Sequence, residues 1–244
     1  MNLNLEKKAA TAGLVLAKKA AAAGLSLTKL PPIAVKAAFD ISGSMDDEYR
    51  DGSVQSVFDQ TLGIALKIDD DGDVDCYAFD TRSYRAPKAT SADFGTYIGT
   101  RPGQGKFGHW PRGGTAYGPV LQQIVDDSFG GGPKGMFGGI FGGGKKAPQG
   151  NPVMVLFYTD GDTQDGDAAG KIIKKCQDER TNIYFNLIGV GNGSSFSYLK
   201  RLADDYDNCG FTHLRAARMS DEELYDKIIN VEFIEFLKGQ GVPA

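Results

Sequence analysis

Cysteine, histidine and long apolar runs are scarce in this chain. It holds three cysteines (Cys76, Cys176, Cys209) and two histidines (His109, His213) in 244 residues. The cysteines are widely spaced with no C-x-x-C pair, which argues against a disulfide framework and for reduced thiols in a cytoplasmic protein. No Ser/His/Asp or Cys/His nucleophile group is read from the histidines. No apolar stretch approaches about 18 residues, so no membrane-spanning segment is expected. Lysines interrupt the N-terminus every few residues, which leaves no signal-peptide h-region; it is acid-poor like a transit peptide but has no arginine. Positive charge is also short overall. The net charge of −4 argues against general nucleic-acid binding.

That charge is uneven. Residues 1–36 hold six lysines and one acid, Glu6, and so carry +5, leaving −9 for the remainder. The basic part is also repetitive. "LNLEKKAATAG" starts at Leu3, "LVLAKKAAAAG" at Leu14 and "LSLTKLPP" at Leu25, a period of 11 residues. The Ala/Lys content favours helix, with Gly13 and Gly24 capping short pieces. Three short L-x-L strands that add to a sheet edge are the other reading. Residues 1–32 are thus a basic arm ending at Pro31-Pro32. It either packs on its own domain, docks another protein or lies on a membrane surface.

From residue 33 strand-like and helix-like segments alternate. "IAVKAAFDI", "DVDCYAFD", "PVMVLFYTD", "NIYFNLIGVG" and "GFTHLRA" read as strands. "SVQSVFDQTLGIALKI" carries a helical stripe at Val54, Val57, Phe58, Leu62, Ala65 and Leu66. "SADFGTYIG", "GPVLQQIVDDSF", "AAGKIIKKCQDE" and "FSYLKRLADDY" read as further helices. A final one spans "SDEELYDKIINVEFIEFLKG", opened by a Ser220/Glu223 capping box. Apolar strands between amphipathic helices imply an α/β fold, a doubly wound and mostly parallel sheet covered on both faces. Many of the 33 glycines cluster in the Gly/Phe-rich stretch 129–150, read as an inserted loop that is either a plain surface loop or a partner contact.

In such a sheet, ligands gather beyond the carboxyl ends of strands, near the point where strand order reverses. Asp40 and Asp160 stand at two of those ends. Ser42 and Ser44 follow the first, and Thr115 follows two glycines in "RGGTAYGP". These five side chains offer only oxygen, which suits a hard divalent cation such as Mg²⁺ or Mn²⁺. Other acidic stretches point less clearly to a ligand. "DDDGDVD" (69–75) fails the EF-hand pattern, with Val74 at position 6 and Asp80 at position 12, and reads as an acidic turn. "GVGNGSSF" (189–196) breaks the glycine spacing of a nucleotide loop. "TDGDTQDGD" adds Asp162, Asp165 and Asp167, read as a solvated loop or as extra acids near the cation. His109-Trp110 is either a rim of the site or a loop anchor.

D-x-S-x-S at 40–44, the Gly-Gly-Thr loop and the T-D-G strand end together resemble the metal-ion-dependent adhesion site (MIDAS) of von Willebrand factor A (VWA) domains. The resemblance covers about residues 33–238. The stretches "LIGVGNGSSFSYLKRLADD", "DDDGDVDCYAFD" and "GGTAYGPVL" are most similar to the intracellular branch in TerF/TerY-type tellurium-resistance proteins and copines. The arm is similar to short segments of tellurium-resistance proteins. The resemblance implies a Rossmann-like fold and direct metal ligation by Ser42, Ser44 and Thr115. Asp40 and Asp160 would act directly or through water, and a partner protein's Glu or Asp would take the remaining position. It implies binding rather than catalysis, in a bacterial or phage stress-type complex. The alternative is a metal-dependent phosphohydrolase or phosphotransferase with Asp40 as nucleophile and Lys171 or Asp162 as its acid or base.

Overall fold

A computed structural model describes residues 2–26, 28, 30–99, 105–108, 110–129, 150–191, 196–214 and 219–239. His109, most of the 129–150 stretch and residues 192–195 of the "GVGNGSSF" segment lie outside them. Helix α1 (Leu3–Ala22) precedes β1 (Ala34–Asp40), α2 (Asp46–Arg50) and α3 (Ser53–Ile68). Next come β2 (Val74–Phe79), β3 (Ser83–Arg85), α4 (Gly118–Ser128), β4 (Val153–Thr159) and α5 (Ala168–Asp178). The chain ends with β5 (Ile183–Val190), α6 (Ser197–Asp205), β6 (Cys209–Leu214), α7 (Asp221–Ile228) and α8 (Val231–Gly239).

The sheet order is β3-β2-β1-β4-β5-β6, parallel except for β3. Sequence order therefore runs outward in one direction from β1 and in the other from β4, which makes the β1/β4 boundary the switch point. The pleat divides each strand between two cores. On β4, Met154, Leu156 and Tyr158 face the side covered by α1, α3, α7 and α8, while Val153, Val155 and Phe157 face the side of α4, α5 and α6. All six are buried, as a strand covered on both faces requires.

Of the arm, Leu3–Ala22 is one continuous helix. Gly13 sits inside it, where it lets the helix meet the stem of Lys67: a Cβ at Gly13 would lie 2.5 Å from Lys67 Cε. Leu5, Ala12, Val15, Leu16 and Ala20 enter the main core. In two of the L-x-L repeats the second leucine is buried (Leu5, Leu16) and the first exposed (Leu3, Leu14). Much of the arm's basic charge is met within the chain, since Lys8 pairs with Asp221 at 2.6 Å and Lys19 with Asp226 at 3.1 Å, both on α7.

Three elements differ from the sequence reading. "SADFGTYIG" forms only a 3-10 turn at Ser91–Asp93, closed by a Thr90/Asp93 capping box and followed by turns through Gly95 and Gly99 at positive φ. The three-residue β3 pairs antiparallel to β2 after a tight turn, and is too short for a periodic signal. The last helix is two. Asn230 interrupts it, its Oδ1 accepting the Phe233 N–H (3.0 Å) and the Tyr184 hydroxyl (2.7 Å), so its side chain starts α8 as α7 ends.

Gly63 on α3 tests the α1 packing. A Cβ there would collide with the Tyr225 hydroxyl and lie 3.1 Å from Lys8 Cβ and 3.3 Å from the Lys8 carbonyl carbon. Gly63→Ala should cost about 1–3 kcal/mol in urea unfolding. Gly239→Ala, where nothing lies within 4 Å, should be near neutral. Equal midpoints for the two variants would contradict the close α1/α3 contact.

Candidate metal centre

The first strand ends on a carboxylate because the backbone beyond it needs one. Asp40 is fully buried, its Oδ1 accepts the Ser42 N–H (2.8 Å), and its Oδ2 accepts the Thr159 hydroxyl (2.7 Å). These bonds turn the chain out of β1 and fix its carboxylate across the β1/β4 boundary. Tyr49, buried on α2, donates to the Asp40 carbonyl at 3.0 Å. Ser42 and Ser44 then lie hydroxyl to hydroxyl at 3.1 Å, and Ser44 Oγ donates to Asp160 Oδ1 at 3.0 Å. The Ser42 backbone thus binds Asp40, and a chain of oxygens runs from the Ser42 hydroxyl through Ser44 to Asp160, 120 positions from Asp40 in sequence.

Thr115 reaches the same edge of the sheet through its backbone. The adjacent Ala116 N–H donates to the Asp80 carbonyl just past β2, and the Thr115 carbonyl accepts the Gln164 N–H beyond β4, each at 2.8 Å. The loop is thus tied on both sides of β1, which lies between those strands. Gly114 leaves room in this loop for the end of the Gln164 side chain, which a Cβ there would displace. No hydrogen bond joins the Thr115 hydroxyl to the other four residues among those described.

Arg112, which sequence reasoning did not single out, holds the serine turn from outside. Its Nε donates to the Ile41 carbonyl and its Nη2 to the Ser42 carbonyl, both at 2.7 Å, and its Nη1 pairs with Asp46. A guanidinium bridging two successive carbonyls leaves no pattern in the sequence. Thr159 was read only as part of the T-D-G strand end, and its bond to Asp40 leaves no pattern in the sequence.

The acids of "TDGDTQDGD" hold neighbouring elements. Asp162 accepts from Ser197 (3.3 Å) and the Tyr198 N–H (3.4 Å) at the start of α6. Asp165 accepts the Gly118 N–H at the start of α4 (2.7 Å), and Asp167 pairs with Arg201 at 3.2 Å. Lys171 is exposed on α5, with no hydrogen bond or ion pair to Asp40. His213 bonds the Gly191 carbonyl at 2.8 Å, and Trp110 stacks on Tyr84 with its indole N–H on the Phe107 carbonyl. In the acidic turn, Asp69, Asp70 and Asp71 bring three carboxylates together at the opposite end of β1, where Asp69 accepts the Val35 N–H at 3.0 Å.

Two buried carboxylates at one strand boundary are electrostatically costly. Burial raises the Asp40 carboxyl to about 6, against the lowering effect of its bonds to Ser42 and Thr159, and burial also raises Asp160. No lysine, arginine or histidine among the described residues forms an ion pair with either. A set of two carboxylates and three hydroxyls, all oxygen and without a counter-charge, fits a hard divalent cation.

Residues 32–242 match the vWA-TerF-like family, described as the vWA domain found in the TerF C terminus. An uncharacterized protein, YcbR of Bacillus subtilis (strain 168), is 27% identical over 213 residues, covering 84% of this chain and 77% of that protein. The fold resembles that of proximal thread matrix protein 1 (PTMP1) from the mussel byssus, with TM-score 0.54 and 18% identity over 83% of this chain. A second structure of that protein, with its MIDAS motif occupied by zinc, gives TM-score 0.55 and 16% identity over 84% of this chain. The chain spans about half the length of the mussel protein, 46% in the zinc-occupied structure.

The raised Asp40 carboxyl has a pH signature. An unfolded aspartate titrates near 3.9, so the folded chain binds this proton more tightly. In EDTA, stability should therefore rise as pH falls from about 7 through 6 towards 4, by an amount on the order of 2–3 kcal/mol from this group. Urea midpoints at pH 5 and pH 7 check it. Asp40→Asn should remove that part of the difference, and an unchanged difference would contradict an ionised Asp40 out of water.

Proposed function

Because the chain belongs to the vWA-TerF-like family of von Willebrand factor A domains, we propose that it is a divalent-cation-dependent protein-binding module. The observation that carries this reading is the set of contacts across the switch point, in which Asp40 accepts the Ser42 N–H and hydroxyls link Ser42 through Ser44 to Asp160. Ser42, Ser44 and Thr115 would ligate the ion directly, with Asp40 and Asp160 acting directly or through water. Two carboxylates roughly neutralise a divalent charge, and neutral hydroxyls leave the ion attractive to a further anion. Ser44 is exposed where Asp40 and Ser42 are buried, which gives the site a solvent side from which a partner's Glu or Asp can approach. The cation supplies that acceptor when bound. Asp40 and Thr159 hold the turn, and Arg112 fixes its carbonyls, so the backbone that carries Ser42 and Ser44 is held in place.

Mg²⁺ or Mn²⁺ is the ion of choice for an all-oxygen set. The mussel protein's MIDAS holds zinc, so Zn²⁺ belongs in the same titration. We propose that the module works in a bacterial or phage tellurium-resistance or stress-type complex in the cytoplasm, a reading supported by its likeness to the TerF C-terminal domain. The outward ridge of α1, with Leu3, Lys7, Leu14 and Lys18 exposed, offers that complex a second contact, as does the 129–150 stretch. Weak contacts linked in one chain raise avidity without a large interface.

The test is capture of partners from a lysate of the source cells on the immobilised chain, in Mg²⁺ and then EDTA. A specific protein should be retained in Mg²⁺, released by EDTA and absent with Asp40→Ala. A partner held equally in EDTA and by Asp40→Ala would contradict metal-dependent binding.

A further inference from the structure

Helix α2 brings a third carboxylate to the same edge of the sheet. Glu48 lies four residues beyond Ser44, where the 3-10 turn Gly43–Met45 runs directly into α2 at Asp46. Glu48 Oε1 packs against Gly191, just beyond β5, where a Cβ would lie 2.5 Å from it. Gly191 has φ +99°, so glycine is favoured there on conformational grounds as well. Glu48 Oε2 is buried and has no hydrogen-bond partner.

That arrangement is unfavourable by itself. A carboxylate oxygen taken from water without a donor carries its full desolvation cost. The neighbouring charge of Asp160 adds to it, and both effects push the Glu48 carboxyl above its ordinary range, opposed only in part by the residue's own backbone N–H. No cationic side chain among the described residues forms an ion pair with Glu48.

We propose that Glu48 is a positioning residue of the cation site: a third carboxylate, outside the five-residue ligand set, that strengthens divalent-cation binding and destabilises the folded chain without the ion. The proposal rests on the five-residue site described above. It gives one substitution two effects of opposite sign. Removing the charge should weaken metal binding and leave the metal-free protein as stable or more so. A side chain that merely packs would lose stability when altered and would affect binding only through that loss.

The full chain and Glu48→Gln are titrated with Mn²⁺, with free ion read by electron paramagnetic resonance. Stability without metal is read from urea midpoints in EDTA at pH 7. Glu48→Gln should bind Mn²⁺ about tenfold more weakly, the lower end of what a supporting partner of a metal site costs, with an equal or higher urea midpoint. Glu48→Asp, which keeps the charge on a shorter stem, should fall between. Unchanged Mn²⁺ affinity in Glu48→Gln, or weaker binding accompanied by a lower midpoint, would overturn the proposal. The underlying site has its own control in Asp40→Ala. If wild type binds no Mn²⁺, or Asp40→Ala binds it as well as wild type, the five-residue site fails and the role of Glu48 falls with it.

Discussion

The structure turns on two carboxylates that leave water at the boundary between β1 and β4. Asp40 and Asp160 end neighbouring parallel strands at the one place in the sheet where strand order reverses. Both are buried and both face hydroxyls. Hydroxyl donors reduce the cost of such a pair without neutralising it, as the raised Asp40 carboxyl records. A site of this kind costs stability, and it persists because the rest of the sheet over-determines it. Two full cores press on the strands from both faces, so the ends of β1 and β4 have little freedom to separate.

The loops around that pair are held by backbone contacts more than by side chain packing. Arg112 fixes two carbonyls of the serine turn, and Asp80 and Gln164 fix the Thr115 loop from either side. Asp162 and Asp165 each bind the N-terminal end of a helix, α6 and α4 respectively. An acid-rich segment that looks like metal bait in isolation is spent largely on helix starts. This division of labour leaves Asp40, Ser42, Ser44, Thr115 and Asp160 as the proposed ligand set, and no cationic side chain among the described residues forms an ion pair with its two carboxylates.

Much of this was legible in the sequence, for a physical reason. D-x-S-x-S sets an acid and two hydroxyls at alternate positions where β1 gives way to a 3-10 turn, and "VMVLFYTD" ends a fully buried strand on a charge, so together with the Gly-Gly-Thr loop they pointed to a candidate site. Strand and helix positions were readable wherever periodicity ran for several turns, as in α3. What was hidden depends on distant partners. Arg112 acts on carbonyls about 70 residues away, and Asn230 divides a helical run because Tyr184 across the sheet bonds it. The close α1 contact depends on Gly63 meeting Tyr225 and Lys8, none of which signals the other. The charge asymmetry between arm and body had a partner inside the chain, in the acids of α7.

If the central claim holds, five oxygen-bearing side chains from three separate segments share one ion. The most direct measurement is anomalous diffraction from crystals soaked in Mn²⁺. A manganese peak within about 2.0–2.3 Å of the Ser42, Ser44 and Thr115 oxygens, flanked by Asp40 and Asp160, is the result the account predicts. A crystal that takes up manganese only elsewhere, for instance at the acidic turn of Asp69, Asp70 and Asp71, would contradict it.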